Sequence, residues 1–449
     1  MPYTTTAQVV DRRPPLTHQT LQHRLDALAR LHRVPGAQLA VHTGTDVLSV
    51  RTGTADAATG APMTEDTAVP LGSLTKTYTA AAVALLADDG DLDLDDPAVE
   101  FLPELREFPE VTIRHLLGHT AGLPTGPDSD TAAGITASRY LATVCTAGDA
   151  LFPPGTDFSY SNAGYVAAGR LVAAVTGMTW QEAVRALLLD PLGTTPCFLG
   201  ETLPARPAAS GHARNTASGR MLPAHQNLAP VEEPAGGLLA SATDLLALGR
   251  ALVGRSAVLP ADAAADLRRP QPGATPAGLA DAWGLGLALF RQDGLWWCGH
   301  DGNAQGTSCH LRAEPDSGVV VAFTGNSGGA TALWQDLADD LTRITGLRVP
   351  TARTPVRRGP SVALPGCAGT YRNGRTEYRI TLGADGTPAL SVDGDRPIPL
   401  ICYQDLSCDL VDPATGRPQP GGRFHRDRAT GVIDRVQISG RTARRSDAR

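Results

Sequence analysis

A single lysine, Lys76, stands in this chain of 449 residues; the other 38 of its 39 Lys and Arg residues are arginine. An ammonium loses its proton when burial or a neighbouring cation lowers its pKa, whereas a guanidinium does not. A chain that keeps one amine has therefore kept a candidate base. Ser73 precedes it by three positions, in Leu71-Gly72-Ser73-Leu74-Thr75-Lys76. On a helix that spacing puts both side chains on one face, a turn apart, so a hydroxyl nucleophile would lie beside an amine base. Ser-x-x-Lys alone is a short pattern, and an N-cap serine followed by a solvated lysine explains it too. Its setting adds weight. Gly72 and the Ala-rich apolar stretch 80–87 read as a loop feeding a buried helix, which would desolvate Lys76 in its first turn. The helix N-terminus would also offer N–H groups to a developing oxyanion.

Two more polar clusters carry groups of the right kind. In Tyr160-Ser161-Asn162 the phenol can act as a shared base and acid, and the carboxamide can hold Lys76 or a substrate amide. Cys298-Gly299-His300-Asp301-Gly302-Asn303 reads as a strand end whose glycines let a substrate backbone come close. Taken singly, the first is also a capped helix start and the second a turn. A rival nucleophile is Ser327, in Gly325-Asn326-Ser327-Gly328-Gly329, which matches the Gly-x-Ser-x-Gly elbow of α/β hydrolases between a predicted strand and helix. The parallel βα units that such a fold needs are not visible upstream. His115 and His119 have metal-compatible spacing but lack an adjacent Glu and a downstream carboxylate pattern, so a helix-end role is expected, with no metal and no cofactor. The seven scattered cysteines, odd in number and without a Cys-x-x-Cys pair, read as reduced packing residues.

These groups must be positioned by elements that the sequence outlines. Apolar spacing at Leu21, Leu25, Leu28 and Leu31 predicts an amphipathic helix from about residue 16 to 33, ended by Pro35-Gly36. Strands are predicted at 38–42 and 47–51 as a hairpin. A helical insertion spans about 93–267, with helices near 163–176, 180–189 and 242–253. Strands return at 283–290, 295–298, 307–312 and 319–324, followed by a helix over 330–345. This order predicts an α+β domain over 1–346, a mainly antiparallel sheet covered by helices on both faces. A Pro/Arg-rich linker occupies 347–365, and alternating strands at 369–372, 378–382, 389–392 and 432–438 predict a small all-β sandwich or barrel over 366–449. The net charge of −7 and 5% aromatic content argue against a nucleic-acid binder. No export signal is visible in Met1–Arg13 and no membrane-spanning stretch elsewhere, so a soluble cytoplasmic protein, acting as a monomer away from membranes, is expected.

In this order, Ser-x-x-Lys, Tyr-x-Asn and His-x-Gly resemble the serine acyl-enzyme family of class C β-lactamases, D-alanyl-D-alanine carboxypeptidases and related esterases. The runs His115-Leu116-Leu117-Gly118-His119-Thr120 and Gly236-Gly237-Leu238-Leu239-Ala240-Ser241 are similar to family landmarks, and the resemblance covers about residues 20–346. It implies that Ser73 attacks an acyl carbon, Lys76 takes its proton, Tyr160 relays it to the leaving group, and Asn162 and His300 complete the array. Backbone N–H groups of Ser73 and Asn303 would form the oxyanion hole, and Gly236, Asp301 and Gly302 would contact substrate. His300 departs from the Lys-Thr-Gly of β-lactamases and removes the cation for a β-lactam carboxylate. With no export signal and a small, lipocalin-like β domain behind the catalytic one, the chain most resembles penicillin-binding-protein-type thioesterases. These take a peptide from a carrier-protein thioester, on its phosphopantetheine arm, and cyclise it through a D-residue. The β domain would then wall the acyl pocket, or be a packing appendage without catalytic effect, while Arg441, Arg444 and Arg445 read as a solvated basic end, with contact to a carrier phosphopantetheine or peptide carboxylate as the other reading. A D-stereospecific peptidase or esterase using water, and a penicillin-binding sensor acylated without turnover, are the alternatives.

Overall fold

The computed structural model describes residues 16–127, 129–215, 218–351, 359–413, 416–427 and 429–446. The segment Met1–Arg13 and linker residues 352–358, both read above, lie outside them. Thr17 caps the first helix, His18–His32, by accepting from the Thr20 N–H, and Arg33 ends it in the left-handed region. Its buried Leu21, Leu25 and Leu28 lie against the sheet.

The sheet has seven strands in the order Val47–Gly53, Gly36–Thr43, Val319–Gly325, Ser308–Ala313, Leu295–Gly302, Ala288–Gln292 and Ala282–Trp283, each antiparallel to its neighbours. The central strand Val319–Gly325 is buried throughout because helices cover both faces. Val321 and Phe323 meet the two terminal helices, His18–His32 and Ala330–Thr345, through Leu25, Leu333 and Trp334. Val320 and Ala322 meet the helical block through Leu245 and Leu248. The helical block carries Thr75–Asp88, Asn162–Thr176 and Ala242–Leu252, the last closed by a Ser241/Asp244 capping box.

Three expectations are corrected. The strand expected over 283–290 is two, because Gly284-Leu285-Gly286 turns between them: Gly286 has φ +67°, and a Cβ there would lie 2.4 Å from the Ala80 methyl. The break lets the Thr75–Asp88 helix press against the sheet edge. The helix over 180–189 is α-helical at Trp180–Val184 and continues as a π-turn, Arg185–Leu189. The elbow reading of Ser327 fails, since its strand runs antiparallel to both neighbours and its side chain is fully buried.

The C-terminal unit is a closed barrel of eight strands from Gly369 to Arg445, with its own core around Tyr371, Leu390, Phe424 and Val436. Four of its strands, at Ile398–Cys402, Ser407–Val411, Pro418–Arg426 and Arg441–Arg445, escape the sequence reading. Pro399, Pro418 and Pro420 interrupt the first and third, and in the third Gly421 is an extra residue opposite the Cys408/Asp409 step, which breaks the alternation there. Among the described residues no helix is long and apolar enough to cross a membrane.

The indole of Trp334 stacks on His310 with ring centroids 5.0 Å apart and also meets Phe323. Trp334→Ala is therefore expected to destabilise the sheet domain by about 3–5 kcal/mol, read from urea unfolding; a loss below about 1 kcal/mol would contradict this packing.

Candidate active site

Ser73 sits in a single 3-10 turn, Gly72–Leu74, that runs directly into the helix Thr75–Asp88. Gly72 adopts φ +54°, and a Cβ there would meet the Asn303 carbonyl at 2.2 Å, so glycine lets the Ser73 turn abut the end of strand Leu295–Gly302. The helix is buried on nearly every side, and three threonines pin it. Thr75 Oγ1 accepts from Leu238 N–H, Thr77 donates to Gly286 O and Thr79 to Pro234 O. Lys76 is 1% exposed, in the first turn of this all-round buried helix.

Lys76 Nζ and Ser73 Oγ are hydrogen-bonded at 3.3 Å, and Nζ donates to the Ala235 carbonyl at 2.8 Å. Burial pulls the Lys76 pKa down to about 7; the Arg441 charge adds to this and Glu232 opposes it. An amine with that pKa can exchange its proton near neutrality. Asn162, expected as a possible partner of Lys76, caps no charge there; that place is taken by the Ala235 carbonyl, and Asn162 borders the neighbouring cavity.

Tyr160 is buried, its ring centroid 5.0 Å from Lys76 Nζ and its hydroxyl 3.5 Å from His300 Nε2. Burial raises its pKa above the ordinary phenol value, with the Ser73 hydroxyl and the Arg441 charge pulling the other way. His119 backs it, with ring centroids 4.3 Å apart and Nδ1 accepting from Ser161 N–H. His115 instead caps its own helix by accepting from Thr112 N–H. The two histidines therefore serve different neighbours. His300 Nδ1–H donates to the Asp301 carbonyl at 2.6 Å, and burial, followed by the Lys76 charge, lowers its pKa to about 4. It is neutral at pH 7.

Two cavities, of about 330 and 320 Å³, meet at Ser73 and Asn303. The first holds Tyr160, His300 and Trp283; the second holds Asn162, Gly236 and the carboxamides of Gln226, Asn227 and Gln305. Gly302 is packed under the nucleophile turn, where a Cβ would strike Leu71 O at 2.0 Å. Asp301 borders the first cavity, but its carboxylate is committed to Arg312 and His310. A direct substrate contact by that carboxylate is therefore corrected to a structural one.

Sequence reading missed Arg441. The barrel's last hairpin joins Ile433–Ile438 to Arg441–Arg445 through Ser439-Gly440, with φ +48° and +77°, a two-residue turn with both central residues left-handed. Gly440 O accepts from Tyr160 N–H at 2.8 Å, and Ser439 and Arg441 line the first cavity. The Arg441 guanidinium lies 5.5 Å from the Tyr160 ring centroid and donates to Thr125 Oγ1. Gln437 and Thr442 both donate to Phe158 O, and Arg435 pairs with Asp157 at 2.6 Å, so segment 157–160 is held by the barrel. Arg444 reaches the Ala150 carbonyl and Arg445 the carbonyls of Gly366 and Ala368, so these three arginines are anchored rather than a loose basic end. No local signal in the sequence marks Arg441, because only barrel closure brings it to Tyr160.

A family model described as Beta-lactamase matches residues 20–342. The penicillin-binding protein 4 of Amycolatopsis lactamdurans is 34% identical over 373 residues, 80% of this chain and 98% of that one. The crystal structure of SurE is 37% identical, with a TM-score of 0.85 over 96% of this chain and 99% of that one; a structure of SurE with D-Leu superposes with a TM-score of 0.82. The D-amino acid amidase of Ochrobactrum anthropi SV3, complexed with D-phenylalanine, is 25% identical, with a TM-score of 0.63 over 72% of this chain and 98% of that one.

Because Arg441 lowers the Lys76 pKa, Arg441→Met is expected to move the ascending limb of the pH–rate profile to higher pH. Ester turnover at pH 6.5 would fall about three- to tenfold and recover by pH 9. An unshifted limb would contradict the electrostatic link between barrel and base.

Proposed function

Given that the chain belongs to the β-lactamase and penicillin-binding-protein family of serine acyl enzymes, we propose that it takes a peptidyl group from a carrier-protein thioester onto Ser73. Release would follow by macrocyclisation, with a D-residue at the acyl end. The observation that carries the acyl-enzyme step is the buried Lys76 amine against Ser73 Oγ, with a pKa of about 7. Neutral Lys76 takes the Ser73 proton as Oγ attacks the thioester carbon. The N–H groups of Ser73 and Asn303 hold the oxyanion, and Tyr160 passes the proton to the departing sulfur. In the second half the peptide's own amine attacks the ester and gives its proton back along the same path. Asn162 and Gly236 border the cavity that takes the acyl chain, and neutral His300 keeps the Tyr160 hydroxyl in place.

Carrier-bound donors are favoured by the barrel's part in the site. The similarity to SurE runs through the barrel as well as the sheet domain, and the D-Leu and D-phenylalanine complexes of the relatives support a D-residue at the acyl carbon. Arg441 supplies a cation in the first cavity where His300 is neutral. A cationic lobe disfavours a protonated incoming amine and so favours the nucleophilic form that cyclisation needs. By covering that lobe the barrel also limits water beside the ester. Such a donor places the reaction in the cytoplasm. The amidase relative favours a second reading, a D-stereospecific hydrolase with water as acceptor.

A peptidyl N-acetylcysteamine thioester ending in D-Leu is expected to add the acyl mass to Ser73 and to yield cyclic product. The L-ended thioester should react at least about tenfold more slowly. Linear acid alone would select the hydrolase, and an unmodified Ser73 would overturn both readings.

A further inference from the structure

The sheet's other face carries a second arrangement of reactive side chains. Asp301 Oδ1 lies 2.7 Å from His310 Nδ1, and His310 Nε2 lies 3.0 Å from Ser308 Oγ, the connectivity of a Ser-His-Asp relay. It is not a second nucleophile site. Ser308 is fully buried, and its hydroxyl is also bonded to Thr331 at the start of the helix Ala330–Thr345. Strand alternation explains the placement: His300 faces Tyr160 and the nucleophile, so the neighbouring Asp301 side chain turns to the opposite face.

There Asp301 is clamped. Arg312, fully buried, approaches its Oδ1 at 2.7 Å through Nη1 and its Oδ2 at 3.1 Å through Nη2. The same guanidinium donates to Leu311 O and to Pro350 O, and stacks over Phe290 at 4.0 Å. Bidentate pairing of this kind fixes orientation as well as charge. The Asp301 carbonyl in turn accepts His300 Nδ1–H, which leaves Nε2 without a proton and facing the Tyr160 hydroxyl. We infer that Asp301 is a positioning residue: its carboxylate, clamped by Arg312 and His310, fixes the strand end so that its carbonyl selects the His300 tautomer that accepts from Tyr160. The inference deepens the Ser73 reading, since His300 matters only if Tyr160 carries the proton.

The test uses the full chain with Asp301→Asn and Asp301→Ala. Long-range ¹⁵N–¹H spectra of histidine-labelled protein read the His300 tautomer, with its signal assigned by its loss in His300→Gln. Ester kinetics give kcat and KM. The parent should show a single Nδ1–H tautomer; Asp301→Ala should mix the two and lower kcat about 10- to 100-fold with KM within about threefold. Asp301→Asn, which keeps the side chain's shape, should fall between and covers the case in which Asp301→Ala does not fold. A retained tautomer in a folded variant, or kcat within twofold of the parent, overturns the inference. Ser73→Ala tests the underlying reading separately, because the tautomer in that variant stays as in the parent while turnover is lost.

Discussion

Everything in the site depends on keeping water away from one amine. An exposed lysine is protonated at pH 7 and useless as a base; in the proposed reaction Lys76 can serve as one because a helix buried on nearly all sides carries it beside Ser73. Lowering its pKa from 10.5 to about 7 corresponds to roughly 5 kcal/mol between the charged and neutral forms. The fold must offset that cost through its other interactions, among them the apolar packing around Thr75–Asp88. The sign follows. The folded-state pKa is depressed, so between about pH 7 and 10.5 the unfolded chain binds the extra proton and the fold gains stability as pH rises through that window.

Charge around the amine is arranged from two parts of the chain. Arg441 comes from the barrel and lowers the Lys76 pKa, while Glu232, from the turn Pro230–Glu232 just before the short helix that presents Ala235 O, raises it. The neutral His300 leaves the first cavity without a cation from the sheet, and the barrel provides one. The barrel is thus part of the site's electrostatics as well as its wall. Its grip on segment 157–160 also sets where the Tyr160 ring lies.

Local chemistry was readable in the sequence where it depended on spacing. The three-residue spacing of Ser73 and Lys76 places them together at a helix start, and the hydrophobic period of the first helix marks part of the sheet domain's outer layer. Asp301 borders the cavity with His300, as the motif suggests, but its carboxylate is turned away to Arg312 and His310, because a strand sends consecutive side chains to opposite faces. Arg441 reads first as part of a solvated end because its place is decided by barrel closure and a two-residue turn far from any motif. Two of the barrel strands, Ile398–Cys402 and Pro418–Arg426, are hidden by prolines and, in the second, a bulge, which break the alternation that marks strands. The split at Gly284-Leu285-Gly286 could not be seen because its cause, the approach of Ala80, is tertiary.

One lysine in the chain makes the central claim directly measurable. Protein labelled with ¹³C and ¹⁵N only in lysine gives one ζ-amine and one ε-carbon signal, whose chemical shift against pH reports Lys76 alone. A midpoint near pH 7, moving upward in Arg441→Met, is the result expected of an amine kept dry beside Ser73. A midpoint near 10.5, the value of a solvated lysine, would contradict the account at its base.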